Sequence, residues 1–216
     1  MSERQRDEQE IINAYEVMTW ITHLSSLPDL VIDVDLICHI NRLTLHNTDR
    51  HHWAGRIRSE VDWPHPDEWS RLRAIVATEE ARGLVVLDEN TGQVIVQFPS
   101  DREVGTLVDL LLQWLNADHA LTSPPLVRAA IFHQRFTQIH PFRDGNGRTA
   151  RALTTLVLWQ AGFPVQILAL QRILDERREQ YIDALRSADQ GNVQRWVQFF
   201  AQAVRDALHS GLLTTS

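Results

Sequence analysis

Apolar side chains recur at helical spacing along most of the chain. Where they return every three or four positions they predict helices, at residues 11–24, 34–45, 67–82 and 101–116. Two more helices are predicted on either side of a polar stretch. One begins at Pro124 and Pro125 and runs to Ile139, and the other ends at Gly162. The pattern therefore predicts a mainly helical protein.

Two short runs rich in β-branched residues interrupt this pattern. Residues 84–87 and 94–98 have the composition of strands, and the polar residues 88–92 between them are typical of a turn. The two runs predict one β-hairpin. The expected fold class is thus all-α with a single small hairpin.

The chain contains no internal repeat, low-complexity segment or linker. A chain of 216 residues can bury one sizeable core, so residues 1–216 are predicted to form a single domain. We expect N-terminal helices in residues 1–60, an inserted helix and the hairpin in residues 67–100, and the core in residues 100–200.

Composition and charge narrow the classes of partner. The formal net charge of −7 argues against a nucleic-acid-binding surface over the whole chain. No apolar run reaches the roughly 18 residues that a membrane span needs. The first ten residues are polar and charged, unlike a signal peptide, and the single Cys38 favours a reducing compartment. We therefore expect a cytoplasmic protein with no nucleic-acid or membrane partner.

The polar stretch between the last two predicted helices is HPFRDGNGRTAR, residues 140–151. The backbone N–H groups at the start of a helix attract anions, and Gly145 and Gly147 let an anion approach them closely. Arg148 and Arg151 share one face of the first turn, where the helix dipole disfavours cations. A bound polyanion would supply the missing negative charge, so the stretch favours a phosphate site.

Two further residues of the stretch suit phosphate chemistry. His140 can act as a base near neutral pH, and Asp144 is a hard oxygen ligand for a Mg²⁺ ion that also holds substrate phosphates. Taken singly, these residues have ordinary structural explanations. Asn146 or Asp144 could cap the helix, the glycines could permit a turn, and the arginines could pair with surface carboxylates. Their joint spacing favours phosphate chemistry over those explanations.

The same stretch resembles the signature of the Fic domain, H-x-F-x-[D/E]-G-N-G-R-x-x-R. Every fixed position matches, namely His140, Phe142, Asp144, Gly145, Asn146, Gly147, Arg148 and Arg151. The preceding LVRAAIFHQRFTQI, the upstream WAGRIRSEV and the later REQYIDALRSADQGNVQRWVQFF also resemble Fic segments. The similarity covers residues 30–200 and is weakest at 61–96. It implies a Fic-type helical bundle with a β-hairpin flap near the active site.

The resemblance also implies an activity, the transfer of AMP from ATP to a Ser, Thr or Tyr hydroxyl of a target protein. His140 would be the general base, and Asp144 would hold the Mg²⁺ that bridges the α- and β-phosphates. Asn146 and the backbone around Gly145 and Gly147 would bind the α-phosphate. The β- and γ-phosphates would be bound by Arg148 and Arg151.

The flap of this family docks the target segment by strand addition. We expect it at residues 84–99, with Val96, Phe98 and Pro99 nearest the site, and residues 57–63 are the alternative. Other functions remain open: removal of AMP from targets, transfer of another nucleotide or phosphate group, and non-catalytic nucleotide binding. A metal-dependent hydrolase is a further alternative, with His51, His52 and His133 as nominal additional ligands.

Many Fic proteins restrain themselves with an [S/T]-x-x-x-E-[G/N] motif, whose glutamate pairs with the final arginine of the loop, here Arg151. Only Glu89 is followed by Asn or Gly, and Val85 stands where Ser or Thr is required. We therefore expect inhibition by a small partner protein, as in toxin–antitoxin members, by oligomerisation, or not at all. The isolated chain should then modify targets and itself. The alternative is a divergent inhibitory helix that uses Glu8, Glu10 or Glu16.

Overall fold

The computed structural model describes residues 2–27, 29–59, 83–87 and 94–212. The helices in these ranges are α1 (Glu3–Ser25), α2 (Val34–Thr44), α3 (Val104–Asn116), α4 (Asp118–Leu121), α5 (Pro125–Ile139), α6 (Asn146–Gln160), α7 (Ile167–Glu176), α8 (Arg178–Asp189) and α9 (Val193–Leu212). The strands are β1 (Gly83–Leu87) and β2 (Val94–Ser100). The predicted mainly helical fold with one hairpin is confirmed.

Helices α5 and α6 lie at the centre of the bundle. They pack against each other, α1 and α2 cover α6, and α9 packs on α5, α7 and α8. The largest fully buried apolar side chains come from these helices and the loop between α5 and α6; they include Phe132, Phe136, Phe142, Leu153, Leu156, Trp196 and Phe200. Complete burial of one such side chain contributes about 1.5–3 kcal/mol. The core therefore fixes how the end of α5 faces the start of α6.

The helix boundaries differ from the sequence prediction at two places. Helix α1 begins at Glu3 rather than at residue 11, because Ser2 and Gln5 form a capping box. Helix α3 begins at Val104 rather than at Asp101, since the Asp101 carboxylate is buried in ion pairs with arginines. Long-range pairing thus overrides the local helical pattern at Asp101.

The two strands pair in antiparallel register, with Gly83 opposite Ser100 and Leu87 opposite Val94. The predicted turn at 88–92 and the predicted inserted helix at 67–82 lie outside the described residues. Strand β2 runs toward the α5–α6 junction, where its end contacts His140.

In the described ranges, no helix has both the length and the apolar composition needed to cross a bilayer.

Candidate active site

The stretch singled out in the sequence forms the junction between α5 and α6. His140 ends α5 with a positive φ of 53°, and Gly145 precedes α6 with a φ of 78°. A Cβ atom at Gly145 would lie 2.9 Å from Nδ2 of Asn41 and 3.2 Å from Oγ1 of Thr44. Glycine is therefore required at 145 both for its backbone conformation and for the close approach of α2.

The side chain of Asn146 fastens this loop. Its Oδ1 accepts a hydrogen bond from the Phe142 N–H at 2.8 Å, and its Nδ2 donates to the Phe142 carbonyl at 2.7 Å. The ring of Phe142 is fully buried and anchors the loop in the core. Because both polar groups of the Asn146 amide are occupied, its backbone N–H is the group left for an anion. The first N–H groups of α6 lack partners within the helix and can serve as such donors.

Arg148 is held between two carboxylates. Its Nη1 lies 2.5 Å from Oε1 of Glu10, and its Nη2 donates to Oδ1 of Asp144 at 3.2 Å. Asp144 itself keeps 36% of its side chain exposed, and its Oδ1 accepts from the Gly145 N–H at 2.5 Å. Arg50 approaches Oδ2 of Asp144 more loosely, at 3.9 Å. The Asp144 carboxylate is therefore open to solvent but surrounded by cations.

The guanidinium of Arg151 is buried without a direct ion pair in the described part of the chain. Its Nε has no hydrogen-bond partner among the same residues. Burial lowers the pKa of its guanidinium. A Cβ atom at Gly147 would lie 3.3 Å from Nη1 of Arg151, so the glycine leaves room for this side chain at the start of α6. Asp175 and Glu10 favour the charged form of Arg151 from a distance, but an anion placed there would gain a partly desolvated cation that is not held in a direct ion pair.

The imidazole of His140 lies against the hairpin. Phe98 of β2 stacks on it, with ring centroids 3.9 Å apart and planes 22° from parallel. Burial lowers the pKa of His140 to about 4, so the ring is neutral at pH 7. Its Nδ1 lies 3.3 Å from the Thr137 carbonyl, which favours a proton on Nδ1 and leaves the Nε2 lone pair able to accept a proton.

Arg58 supports the backbone that carries His140. Its Nε donates to the His140 carbonyl at 2.8 Å, and its Nη2 donates to the carbonyls of Pro99 at 2.7 Å and Ile139 at 3.1 Å. Its Nη1 pairs with Asp101, whose second carboxylate oxygen accepts from Arg143 at 3.0 Å. Arg58 thereby joins the end of the hairpin to the end of α5. Arg58 belongs to the WAGRIRSEV segment, which the sequence analysis identified as similar to a Fic segment. The partners of Arg58 were not predicted.

This upstream segment also pairs directly with the loop. The Arg58 N–H donates to the Pro141 carbonyl at 2.9 Å, and Ile57 forms an isolated antiparallel bridge with Phe142. Residues 57–59 therefore brace the loop, and residues 60–63 of the alternative flap position lie outside the described residues. The hairpin at 83–100 is the element that reaches His140.

Asn41 was not anticipated as a site residue. It is fully buried, and its Nδ2 donates to the Asp144 carbonyl at 3.0 Å and to Oγ1 of Thr149 at 3.1 Å. Its Oδ1 accepts from the Gly55 N–H at 2.8 Å. The signal in the sequence is an asparagine on the mainly apolar face of α2, since a buried amide needs partners.

The histidines proposed as additional metal ligands lie in other surroundings. His133 is buried in the core, where its ring nitrogens contact Thr154 Oγ1 at 3.1 Å and the Tyr181 hydroxyl at 3.0 Å. Nδ1 of His51 contacts the Thr48 carbonyl at 2.8 Å. Among the described residues, no group of three or more His, Cys, Asp or Glu side chains could hold a metal ion.

Comparison with known proteins connects this geometry to a family. The model of the Fic/DOC family matches residues 31–158. The chain is 35% identical over 118 residues to the protein adenylyltransferase Fic of Drosophila melanogaster, and the same holds for the Drosophila simulans protein. These alignments cover 55% of this chain but 23% of each relative, so the chain spans less than a quarter of the length of the curated relatives it matches.

Solved structures share the fold over nearly the whole chain. Fic-1 of C. elegans is 27% identical with a TM-score of 0.66, covering 95% of this chain and 50% of that one. A Fic family protein of Desulfovibrio desulfuricans is 25% identical with a TM-score of 0.67, covering 97% and 55%. The BepC protein of Bartonella tribocorum, solved with bound AMPPNP, is 20% identical with a TM-score of 0.61, covering 94% and 87%, and shows the fold alone.

Proposed function

The chain belongs to the Fic/DOC family, and on that premise we propose that it transfers AMP from ATP to a hydroxyl group of a protein side chain. One observation carries the proposal: the guanidinium of Arg151 in α6 forms no ion pair within the described ranges, and α6 directly follows the loop that carries His140 and Asp144. A triphosphate is the ligand that would use all of these groups together. The curated relatives named adenylyltransferase support the same reaction.

The triphosphate would lie along the first turn of α6. The backbone N–H groups of Asn146 and Gly147 would donate to the α-phosphate, and Arg148 and Arg151 would bind the β- and γ-phosphates. The arginines also stabilise the charge that develops on the leaving pyrophosphate. Because the protein supplies position and charge, its contribution to the rate is mainly electrostatic.

Mg²⁺ fits this site as an ion shared with the phosphates. The protein offers one partly exposed carboxylate, Asp144, and a single carboxylate suits an ion that keeps several waters and takes further oxygens from the substrate. When bound, Mg²⁺ would neutralise part of the phosphate charge. Asp144 is the residue that would hold it.

His140 would act on the target hydroxyl. Its Nε2 accepts the hydroxyl proton, and the oxygen forms a bond to the α-phosphorus of ATP. The bond from that phosphorus to the oxygen bridging the α- and β-phosphates breaks, and pyrophosphate leaves. The contact of Nδ1 with the Thr137 carbonyl keeps the base in the required tautomer.

The target segment would lie along β2. Phe98 and Pro99 of this strand contact His140 and its supporting Arg58, so a chain added to the hairpin would pass close to the base. Backbone hydrogen bonds hold such a segment without demanding a particular sequence. The hydroxyl at the correct register would then be the one modified.

The proposal is tested by incubating the chain with a cell lysate, Mg²⁺ and ATP labelled at either the α- or the γ-phosphate. We expect protein bands that carry the α-label and not the γ-label, with AMP attached to a hydroxyl residue by mass spectrometry. His140→Ala is the control that should lose the label. Transfer of the γ-label would replace the proposal with phosphorylation. Glu10→Gln, which removes the carboxylate beside Arg148, is tested in parallel, and absence of any label from both it and the wild type would contradict the proposed transfer.

A further inference from the structure

A second pocket lies at the end of the α5–α6 pair opposite to His140. It surrounds Arg128, which stands 12 positions before His140 and is separated from it by about 18 Å along the helix axis. The walls are residues 25–27 and 29–32, the end of α3 with α4, and the last turn of α6; the cavity measures about 630 Å³. That volume is in the range of small-molecule sites.

Arg128 has no partner in this pocket. Only 8% of the residue is exposed, and within the described ranges its guanidinium makes no ion pair and no hydrogen bond, while its buried Nε is unsatisfied. Burial alone lowers its pKa, without a contribution from a nearby charge. A desolvated cation without a counterion is unfavourable, and an anionic ligand would offset that penalty.

The other side-chain donors that line the pocket already bind backbone carbonyls. Nε2 of Gln160 donates to Leu30 at 3.2 Å, and Nδ2 of Asn116 donates to Ile32 at 2.9 Å. The hydroxyls of Ser25 and Ser26 likewise donate within their own turn, to Thr22 and His23. Among the described lining residues, Arg128 is therefore the charged donor available to a ligand.

The mouth of the pocket is apolar. Leu27, Val31 and Leu121 are 39%, 57% and 54% exposed, and all three line the cavity. Asp29 lies on the same wall, so a ligand with more than one negative charge would meet a like charge. The pocket thus offers one cation, Arg128, beside aliphatic side chains and one carboxylate, Asp29. These features favour a ligand that carries a single negative charge on an apolar group.

We propose that the Arg128 pocket binds a small molecule that carries one carboxylate on a branched aliphatic group. The carboxylate pairs with the guanidinium of Arg128, and the aliphatic part covers the exposed leucine and valine side chains at the mouth. This pocket is separate from the start of α6. Binding there would be a second function in addition to the proposed transfer of AMP.

The test uses the full chain labelled with ¹⁵N and two probes of the same shape, 4-methylpentanoate and 4-methylpentanamide. We expect saturable shifts of backbone amide signals around Arg128 with the acid and none with the amide. Arg128→Met keeps the apolar stem without the charge and should weaken binding at least tenfold. Arg135→Met, which removes an exposed arginine from the same helix, should bind the acid as the wild type does.

Several outcomes would overturn the proposal. Equal binding of the acid and the amide, equal binding by Arg128→Met, or no saturable shift in the wild type would each reject it. Inorganic phosphate bound as well as the acid would reject the ligand class. Unliganded Arg128→Met should melt at or above the wild-type temperature, because an unpaired buried cation has been removed, and a lower melting temperature would show a structural role instead. Neither ATP nor a target protein is needed, so the result is independent of the proposed transfer.

Discussion

The Glu10 carboxylate of α1 lies 2.5 Å from Nη1 of Arg148 on α6. A residue of the first helix thus neutralises one of the two cations assigned to the triphosphate. Glu8 pairs with Arg4 and Glu16 approaches His46, so of the three glutamates considered in the sequence only Glu10 contacts the loop. Its partner is Arg148, not the Arg151 that the family motif implies. This contact favours inhibition by a divergent helix within the chain over the absence of inhibition.

Replacing Glu10 with glutamine should strengthen ATP binding. The wild-type carboxylate competes with phosphate for Arg148 and repels it, and both effects vanish with the charge. Both side chains are partly exposed, so we expect roughly a three- to tenfold lower Kd for ATP, or about 0.7–1.4 kcal/mol. Calorimetric titration of the wild type and Glu10→Gln measures the difference.

Glu8→Gln and Glu16→Gln are the matched controls, since they remove the same charge from the same helix without touching Arg148. They should bind ATP as the wild type does. Unchanged or weaker binding by Glu10→Gln would exclude competition. If only Glu10→Gln modifies proteins or itself, the restraint is internal, and no small inhibitory partner is needed to explain it.

Replacing Arg148 or Arg151 with methionine should weaken ATP binding in both cases. The two variants should differ in melting temperature. Changing either to methionine removes a cation from the proposed phosphate site and should raise the Kd for ATP about tenfold or more. Arg148→Met also breaks the contacts with Glu10 and Asp144 and should lower the melting temperature. Arg151→Met removes a buried cation that has no direct ion pair among the described residues and whose largest electrostatic effect is desolvation, so its melting temperature should equal or exceed that of the wild type. A clear loss of stability in Arg151→Met would mean that this side chain has a structural partner.

Phe98 should set the pH range in which His140 works as a base. The stacked ring contributes to the burial that lowers the pKa of His140 to about 4. The base is active when neutral, so the wild-type rate should stay level as the pH falls to about 5. In Phe98→Ala the imidazole gains solvent and its pKa rises, so the rate should already decline below about pH 6.5.

Initial rates of transfer at several pH values measure this shift. Phe98→Leu keeps an apolar cover and should retain most of the wild-type profile, while the Kd for ATP should be the same in all three proteins. A profile of Phe98→Ala that superposes on the wild type would show that the ring does not control the base.

The sequence predicted those parts of the site that depend on neighbouring residues. Helical periodicity located α5 and α6, and the spacing of His140, Asp144 and Arg148 follows from the single loop that joins these helices. The supporting contacts come from far away in the chain. Arg58 is 82 residues from His140 and Asn41 is 103 residues from Asp144, and no local pattern encodes such pairs. The Glu10–Arg148 contact likewise appears only when α1 packs on α6.

Asn41 provides the most specific test of these long-range contacts. Aspartate has the same shape and still accepts the hydrogen bond from the Gly55 N–H, and the Thr149 hydroxyl can reverse to donate to it. The substitution removes the donor to the Asp144 carbonyl. An oxygen of the introduced carboxylate would then lie about 3.0 Å from the Asp144 carbonyl oxygen. The loop that carries Asp144 and Gly145 should loosen, and the Kd for ATP should rise about tenfold near pH 8.

Lowering the pH should reverse the defect. The aspartate introduced at 41 is buried, so its pKa is expected to be raised, and its protonated form regains a donor for the Asp144 carbonyl. Relative to the wild type at each pH, Asn41→Asp should therefore bind ATP better near pH 6 than near pH 8. Thr149→Val, which removes only the second acceptor, should bind ATP nearly normally at both values. If Asn41→Asp matches the wild type throughout, or stays equally weak at both pH values, the contact from Asn41 does not position the loop.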